Sequence, residues 1–399
     1  MRKNPRRILS PQRLPFRHPA WQETQHSVRV PNHCGYCAQD RFFAFPTSGA
    51  SRVWAQNRAG TKTFRYRVPK TWLARGNFVM MRSVTMPVSA RKDRGLAVFG
   101  EFFLDLVFYD LPRVPRMGEE VKTASFASFP GGGLATTALV AVGLGTPTTV
   151  ITRVGRDALA SPAWRTLLRS GISTEACEVD PRLPTALTVC AAFGGDRMMI
   201  THDTINRKLE RLLVRSNVQQ QIRTTKHVHL ACGLRPPQAW RPAARALRRQ
   251  GLTISADIGW NPEVLESRRL PALLKELDFL FPNELEAQAI TGAKTVEQAL
   301  RKLAGWVRVP VIKIGEDGSL AIRDGRITRV RSIGVRTVDA TGAGDAFNGG
   351  FLHGYLAGWP LEECMRAGNV CGALATTRPG GSSAIPTRGK LLGLMKKIR

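Results

Sequence analysis

From Leu96 onward the chain alternates short apolar runs with longer polar stretches, and no other feature narrows the available folds as much. Residues 96–100, 148–154, 227–231, 252–257 and 277–281 are too short for core helices and too uniformly apolar to leave one face in water. They read as strands covered on both sides. Between them lie helix-length polar segments, and residues 134–144 and 361–377 read as helices outright. The expected fold is α/β, a mainly parallel central sheet with helices on both faces. Two places break the alternation. Residues 186–193 and 197–201 flank Gly194-Gly195-Asp196, and residues 319–322 and 327–331 flank Asp324-Gly325, which is the turn chemistry of hairpins. Residues 106–128, with Pro112, Pro115 and Gly118 among short extended runs, join residues 186–204 as a small β lid.

The most informative stretch for chemistry is residues 337–351, where an extended run meets Gly342, Ala343, Gly344 and Asp345 and turns into an amphipathic helix. Two glycines let the backbone turn sharply with its amides facing one point, and the helix adds the positive end of its dipole. A phosphate can sit there without a basic side chain. Asp345 would repel such an anion, so a carboxylate at this position makes sense as a base that takes the proton of an attacking hydroxyl. Read structurally instead, the same residues are a glycine-rich turn with an acid in the first helical turn.

Residues 339–345, Asp-Ala-Thr-Gly-Ala-Gly-Asp, resemble the signature of the ribokinase-like (PfkB) carbohydrate kinases. The resemblance extends over about residues 95–397 and implies a three-layer fold with a small β lid. It also implies ATP-dependent phosphorylation of a hydroxyl on a sugar or related alcohol, with Asp345 as base and the turn from Gly342 through Ala343 and Gly344 as anion hole. By the same resemblance, Asp105 and Gly131, Gly132 and Gly133 face the acceptor. Thr136 stands where the family has an Asn. Asn283 and Glu286 sit in an Asn-x-x-Glu that orders magnesium-bound water and phosphates, although Asn followed by Glu three residues later is also a helix capping box. Lys313, Gly315, Gly318 and Asn369 would line the nucleotide. Asp339, Thr341, Ala375, Arg378 and Gly380 would hold a monovalent cation such as potassium, and two copies would pair through the lid. Gly155-Arg156-Asp157 resembles another family turn that opens a helix.

Charge is unevenly spread. Residues 1–94 carry 19 Lys/Arg against Glu23, Asp40 and Asp93, more than half of the chain's formal +29. This segment lacks a period of 2 or 3.6 and reads as an unstructured extension. Three explanations compete: a basic arm for nucleic acid, an acid-poor targeting peptide, or upstream sequence read from an early start. Scattered charge and the absence of a nucleic-acid motif favour the last, with Met80, Met81 and Met86 as alternative starts. Cys34-x-x-Cys37 lacks the second ligand pair of a zinc site and reads as coincidence. Seven dispersed cysteines and no secretory signal point to a reducing, cytoplasmic setting, and no apolar run approaches a membrane span. There is neither a P-loop nor a dinucleotide fingerprint. Beside the sugar kinase stand a nucleoside kinase of the same fold, a metabolite binder without turnover, and a nucleic-acid binder using the basic arm.

Overall fold

The computed structural model describes residues 53–56, 62–65, 95–193 and 196–396, in two units, Met1–Met86 and Pro87–Arg399. In the first, β1 (Val53–Gln56) pairs antiparallel with β2 (Lys62–Arg65). This strand pair departs from the unstructured extension expected of residues 1–94, its four-residue strands being too short to show a period; Cys34, Cys37 and the starts at Met80, Met81 and Met86 lie outside the described residues.

The second unit opens with β3 (Gly95–Gly100), β4 (Phe103–Tyr109), β5 (Ser125–Gly131), α1 (Gly132–Gly143), β6 (Thr148–Ile151) and β7 (Arg153–Gly155). Next come α2 (Ser161–Arg169), β8 (Glu178–Asp180), β9 (Ala186–Phe193), β10 (Asp196–His202), α3 (Ser216–Ile222), β11 (Thr225–Ala231) and α4 (Pro237–Arg249). The chain continues through β12 (Thr253–Asp257), α5 (Pro262–Leu265), α6 (Leu270–Leu274), β13 (Phe279–Leu280), α7 (Glu284–Thr291) and α8 (Val296–Leu303). It closes with β14 (Val309–Lys313), β15 (Ser319–Arg323), β16 (Arg326–Val330), α9 (Ala343–Leu356), α10 (Leu361–Ala375) and α11 (Arg388–Met395).

The main sheet runs β16-β15-β14-β13-β12-β11-β3-β6, parallel from β14 to β6, with β15 and β16 added antiparallel. Strand β3 shows why its sequence looks uniformly apolar. All six of its residues are buried, Leu96 and Val98 in one core and Ala97 and Phe99 in the other. Leu96, Val98 and Phe99 each contribute roughly 1.5–3 kcal/mol of burial, and Ala97 about 0.8 kcal/mol. The first core is built from α1, α9, α10 and α11, the second from α4, α6 and α8 among others. Phe351 of α9 packs at ring-centroid distances of 5.3 Å from Phe279 and 5.0 Å from Phe281, which fixes α9 against the end of β13. The doubly covered, mainly parallel sheet is the fold that the alternation predicts.

The lid is a four-stranded sheet in the order β10-β9-β4-β5, which contains strands from both segments assigned to it from sequence and extends the first, residues 106–128, to Phe103 and Gly131. Boundaries differ elsewhere. Residues 148–154 split in two because β7 leaves the main sheet to pair with β8. Residues 277–281 contribute only the two-residue β13. No helix starts directly after Gly155-Arg156-Asp157. The Asp157 carboxylate instead accepts from the Ala160 amide at 3.0 Å and from the Thr185 amide and hydroxyl at 2.8 and 2.6 Å, and α2 begins at Ser161. The run before Gly342 is irregular rather than strand, its Val338 and Asp339 amides donating to the Thr376 carbonyl at 2.7 and 3.1 Å. Among the described residues, no helix is long and apolar enough to cross a membrane.

Candidate active site

Gly342 caps α9 with φ of 71°, the left-handed region that a side chain disfavours, and a Cβ there would come within 2.7 Å of the Gly381 Cα. Glycine is therefore required twice over. The Ala343 amide donates to the Ala340 carbonyl at 3.3 Å and the Ala346 amide to Gly342 at 2.8 Å. The Gly344 and Asp345 amides have no backbone acceptor among the described residues, so two donors remain at the positive end of α9.

Asp345 is placed between two helix starts. Its carbonyl accepts from the Thr137 hydroxyl of α1 at 3.0 Å, and a Cβ on Gly133 would stand 2.7 Å from its Oδ1. The glycines of α1 thus let that helix's first turn run directly under the carboxyl group. Burial pushes Asp345 up to about 7, and the neighbouring Asp257 carboxylate adds to the shift while Lys313 opposes it. A carboxyl group in that range can accept a proton near neutral pH and release it again.

Behind Asp345 lies a buried charge cluster. Lys313, the last residue of β14, donates to Asp257 Oδ2, the last residue of β12, at 2.6 Å. Asn348 of α9 donates to the same oxygen at 2.6 Å and is fully buried. Burial alone would raise Asp257, but the Lys313 ammonium and the two hydrogen bonds hold it below the usual carboxylate range. Burial would likewise lower Lys313, yet Asp257 and Glu286 keep it charged and above its ordinary value. A Cβ on Gly344 would lie 2.9 Å from Lys313 Nζ, so the ammonium borders the glycine turn. Free amides, a fixed cation and a poised carboxyl group thus meet at the carboxyl ends of the parallel strands, where open α/β sheets bind ligands.

The sequence profile of the pfkB family of carbohydrate kinases matches residues 93–388. The chain belongs to that family. The ribokinase of Haemophilus influenzae is 26% identical over 312 residues, covering 75% of this chain and 98% of its own. The cytidine kinase of Thermococcus kodakarensis is 29% identical over 279 residues, 68% and 92% of the two chains. The structure of Arabidopsis thaliana ribokinase complexed with ribose and ATP superposes with a TM-score of 0.67 at 25% identity, covering 76% of this chain and 99% of that one. The protein is therefore a sugar or nucleoside kinase of the pfkB family.

The other residues assigned by resemblance to this kinase family fall into distinct places. Asp105 of β4 lies against Gly131, where a Cβ would come within 2.1 Å of its Oδ2, and burial pushes it up to about 6 against a hydrogen bond from Thr188. Asp105 and Asp345 consequently bracket Gly131, Gly132 and Gly133 at the start of α1. Thr136 is buried, its hydroxyl 3.4 Å from where a Gly342 Cβ would be, so it packs beneath the glycine turn. Asn283 and Glu286 form the capping box, with the Glu286 amide donating to Asn283 and the Asn283 amide to Glu286 Oε2, both at 2.8 Å. Burial and Asp257 raise the Glu286 carboxyl.

Gly315 opens onto free space at φ 61°, while Gly318, at φ 97°, is wedged against the Val330 carbonyl and serves the turn. Asn369, assigned to the nucleotide, also has a structural part. Its amide is buried and donates to the carbonyls of Val330 and Arg331 at 2.9 and 3.2 Å, tying β16 to α10. Asp339 accepts from the Thr341 amide and hydroxyl at 2.9 and 2.6 Å and from the Gly380 amide at 2.9 Å, so it clips together the two loops assigned to a cation. Ala375, at the end of α10, is buried and Arg378 is exposed.

Asp257 and Asn348 went unassigned from sequence. Asp257 had one legible signal, an acid closing an apolar strand at its carboxyl end. Asn348 had a weaker one, lying three residues beyond Asp345 on the same helical face.

Proposed function

We propose that the kinase transfers the γ-phosphoryl group of ATP to a hydroxyl of a sugar or nucleoside, with Asp345 as general base. The observation that carries this is the Asp345 carboxyl, raised to about 7 and set between the first turns of α1 and α9. Asp345 takes the proton of the acceptor hydroxyl as its oxygen bonds to phosphorus and the bond to the β-phosphate oxygen breaks. The Gly344 and Asp345 amides and the Lys313 ammonium stabilise charge on the transferring oxygens. Asp105 receives two acceptor hydroxyls, as a carboxylate can. The lid excludes water, which limits transfer to solvent.

Among the described residues no group of three or more His, Cys, Asp or Glu forms a metal cage. That donor set fits magnesium, which keeps several waters and is carried largely by phosphates, with Glu286 and Asn283 ordering the water shell. When bound, magnesium neutralises the β- and γ-oxygens. A potassium ion near Asp339 and the 378–381 loop belongs to the same proposal. So does pairing of two copies through the lid, supported by Met198, Met199 and Ile200 exposed on the edge strand β10. Cytoplasmic residence is supported by the free thiols of Cys177, Cys232, Cys364 and Cys371.

The test is ADP release from ATP and magnesium, in sodium and in potassium, across ribose, fructose, a keto-deoxy acid and nucleosides. Acceptor-dependent ADP is expected, with kcat/KM rising as pH increases and its midpoint at about 7, because only ionised Asp345 accepts a proton. ADP release that no acceptor stimulates would count against the assignment, and a flat profile from pH 6 to 8 would count against Asp345 as base.

A further inference from the structure

Among the helices of the described residues, the most concentrated positive charge lies on α4. Arg241, Arg245, Arg248 and Arg249 follow at spacings that put them on one helical face, over about 12 Å of helix. Beside them the turn before α6 contributes Arg268 and Arg269. Arg241, Arg245, Arg249, Arg268 and Arg269 line a groove of ≈ 600 Å³ in which no acid takes part. A second hollow of ≈ 490 Å³ shares Arg245 and Arg249 with it and is lined further by Arg248 and Glu276.

Part of this cluster has a local explanation. Arg248 and Arg249 sit in the last turn of α4, where the helix dipole favours cations. That does not account for Arg241, a full two turns earlier, or for two arginines from another segment. Nor are the guanidinium groups loose. Glu276 Oε1, largely buried, accepts from Arg241 Nε at 3.2 Å and from Arg245 Nε at 2.7 Å, and its backbone carbonyl accepts from Arg248 at 3.2 Å. With Nε held from behind, the terminal amino groups of Arg241 and Arg245 have no acceptor among the described residues. These side chains are 39% and 51% exposed, so a planar pair of donors faces the groove with little ordering left to do.

The groove also stands apart from the catalytic end. Asp278 and Arg308, at the cluster's border, immediately precede β13 and β14, whereas Lys313 and Asp257 close their strands at the other end. Its occupant must be anionic. A second copy of a +29 chain, or the chain's own basic first 94 residues, would be repelled. An acidic protein surface is the competing occupant, because arginine anchors protein interfaces too; what this groove lacks is the aromatic and Met side chains that accompany it at an interface's centre. Repeated guanidinium forks with no apolar anchor match an evenly charged backbone.

We propose that this groove binds the phosphodiester backbone of a nucleic-acid strand, without sequence preference. Sequence alone disfavours a nucleic-acid partner, because the charges of residues 1–94 are scattered and no nucleic-acid motif accompanies them. The stripe is inconspicuous in sequence because Arg268 and Arg269 join α4 only in the folded chain.

Fluorescence anisotropy on the full chain, with labelled single-stranded RNA and DNA of about 15 nucleotides, tests this. The variant Arg249→Gln/Arg268→Gln/Arg269→Gln is expected to weaken binding at least about tenfold and to reduce the log–log salt slope by about 2. Its kinase turnover should stay within about twofold of the unmodified chain, since these residues lie away from Asp345. If that variant loses turnover, Arg268→Gln/Arg269→Gln gives the same reading with a slope change of about 1.4. Affinity and slope unchanged in both variants would overturn the proposal. So would polyglutamate displacing the oligonucleotide as effectively, per charge, as an unlabelled strand, which would point to an acidic polypeptide.

Discussion

Asp345→Asn is expected to lower kcat by about 10²–10⁴-fold, the range for loss of a positioned general base, while the Kd for ATP changes little. The amide keeps the shape of the carboxyl group, and the Thr137 hydrogen bond reaches the backbone carbonyl, so α1 and α9 stay joined. The same substitution should stabilise the protein above neutral pH. An acid whose folded pKa is about 7 against an ordinary 3.8 contributes stability in full below 3.8, loses it progressively between those values, and has lost it above about 7. The ceiling is roughly 4 kcal/mol, reduced by solvent screening of a partly exposed group. Thermal unfolding at pH 5 and pH 8 should therefore show Asp345→Asn gaining on the unmodified chain at the higher pH. A small loss of kcat, or a Tm difference independent of pH, would assign Asp345 a different role.

The second large effect belongs to Asp257. Asp257→Ala strands the Lys313 ammonium and removes the acceptor of the buried Asn348 amide, a break that typically costs about 3–5 kcal/mol. For a unit of this size that corresponds to a fall in Tm of roughly 5–8 °C. Because Asp257 also helps raise Asp345, the pH midpoint of kcat/KM should move below 7 in this variant. Lys313→Met should then cost less in the Asp257→Ala background than alone, the mark of a coupled pair. A Tm within about 1 °C of the unmodified chain would mean that this ion pair does not brace the site.

Legibility from sequence followed the range of the interactions. Strand β3 was readable because both of its faces are buried, which leaves an unbroken apolar run. The lid hairpin was readable because Gly194-Gly195-Asp196 marks a turn locally. The glycine turn at Gly342 was readable because its left-handed φ admits few residues. The Asp257–Lys313–Asn348 cluster was not readable, since it joins residues 56 and 91 positions apart, and which strand ends become neighbours is a property of sheet order rather than of any window. Residues 148–154 were misjudged for the same reason, since the partner that draws β7 away is β8, some 25 residues later. Asn283 and Glu286 show the converse. The capping box expected from local spacing is formed, and any part in ordering magnesium-bound water comes in addition to it.

In the proposed mechanism the amides of α9's first turn hold the transferring phosphoryl group while Asp345 faces the acceptor. A crystal structure with ADP, aluminium fluoride, magnesium and the acceptor found by ADP release tests it most directly. The fluoride is expected to accept hydrogen bonds from the Gly344 and Asp345 amides, with the acceptor oxygen about 3 Å from the Asp345 carboxyl. A fluoride bound elsewhere, or an acceptor hydroxyl turned away from Asp345, would contradict it.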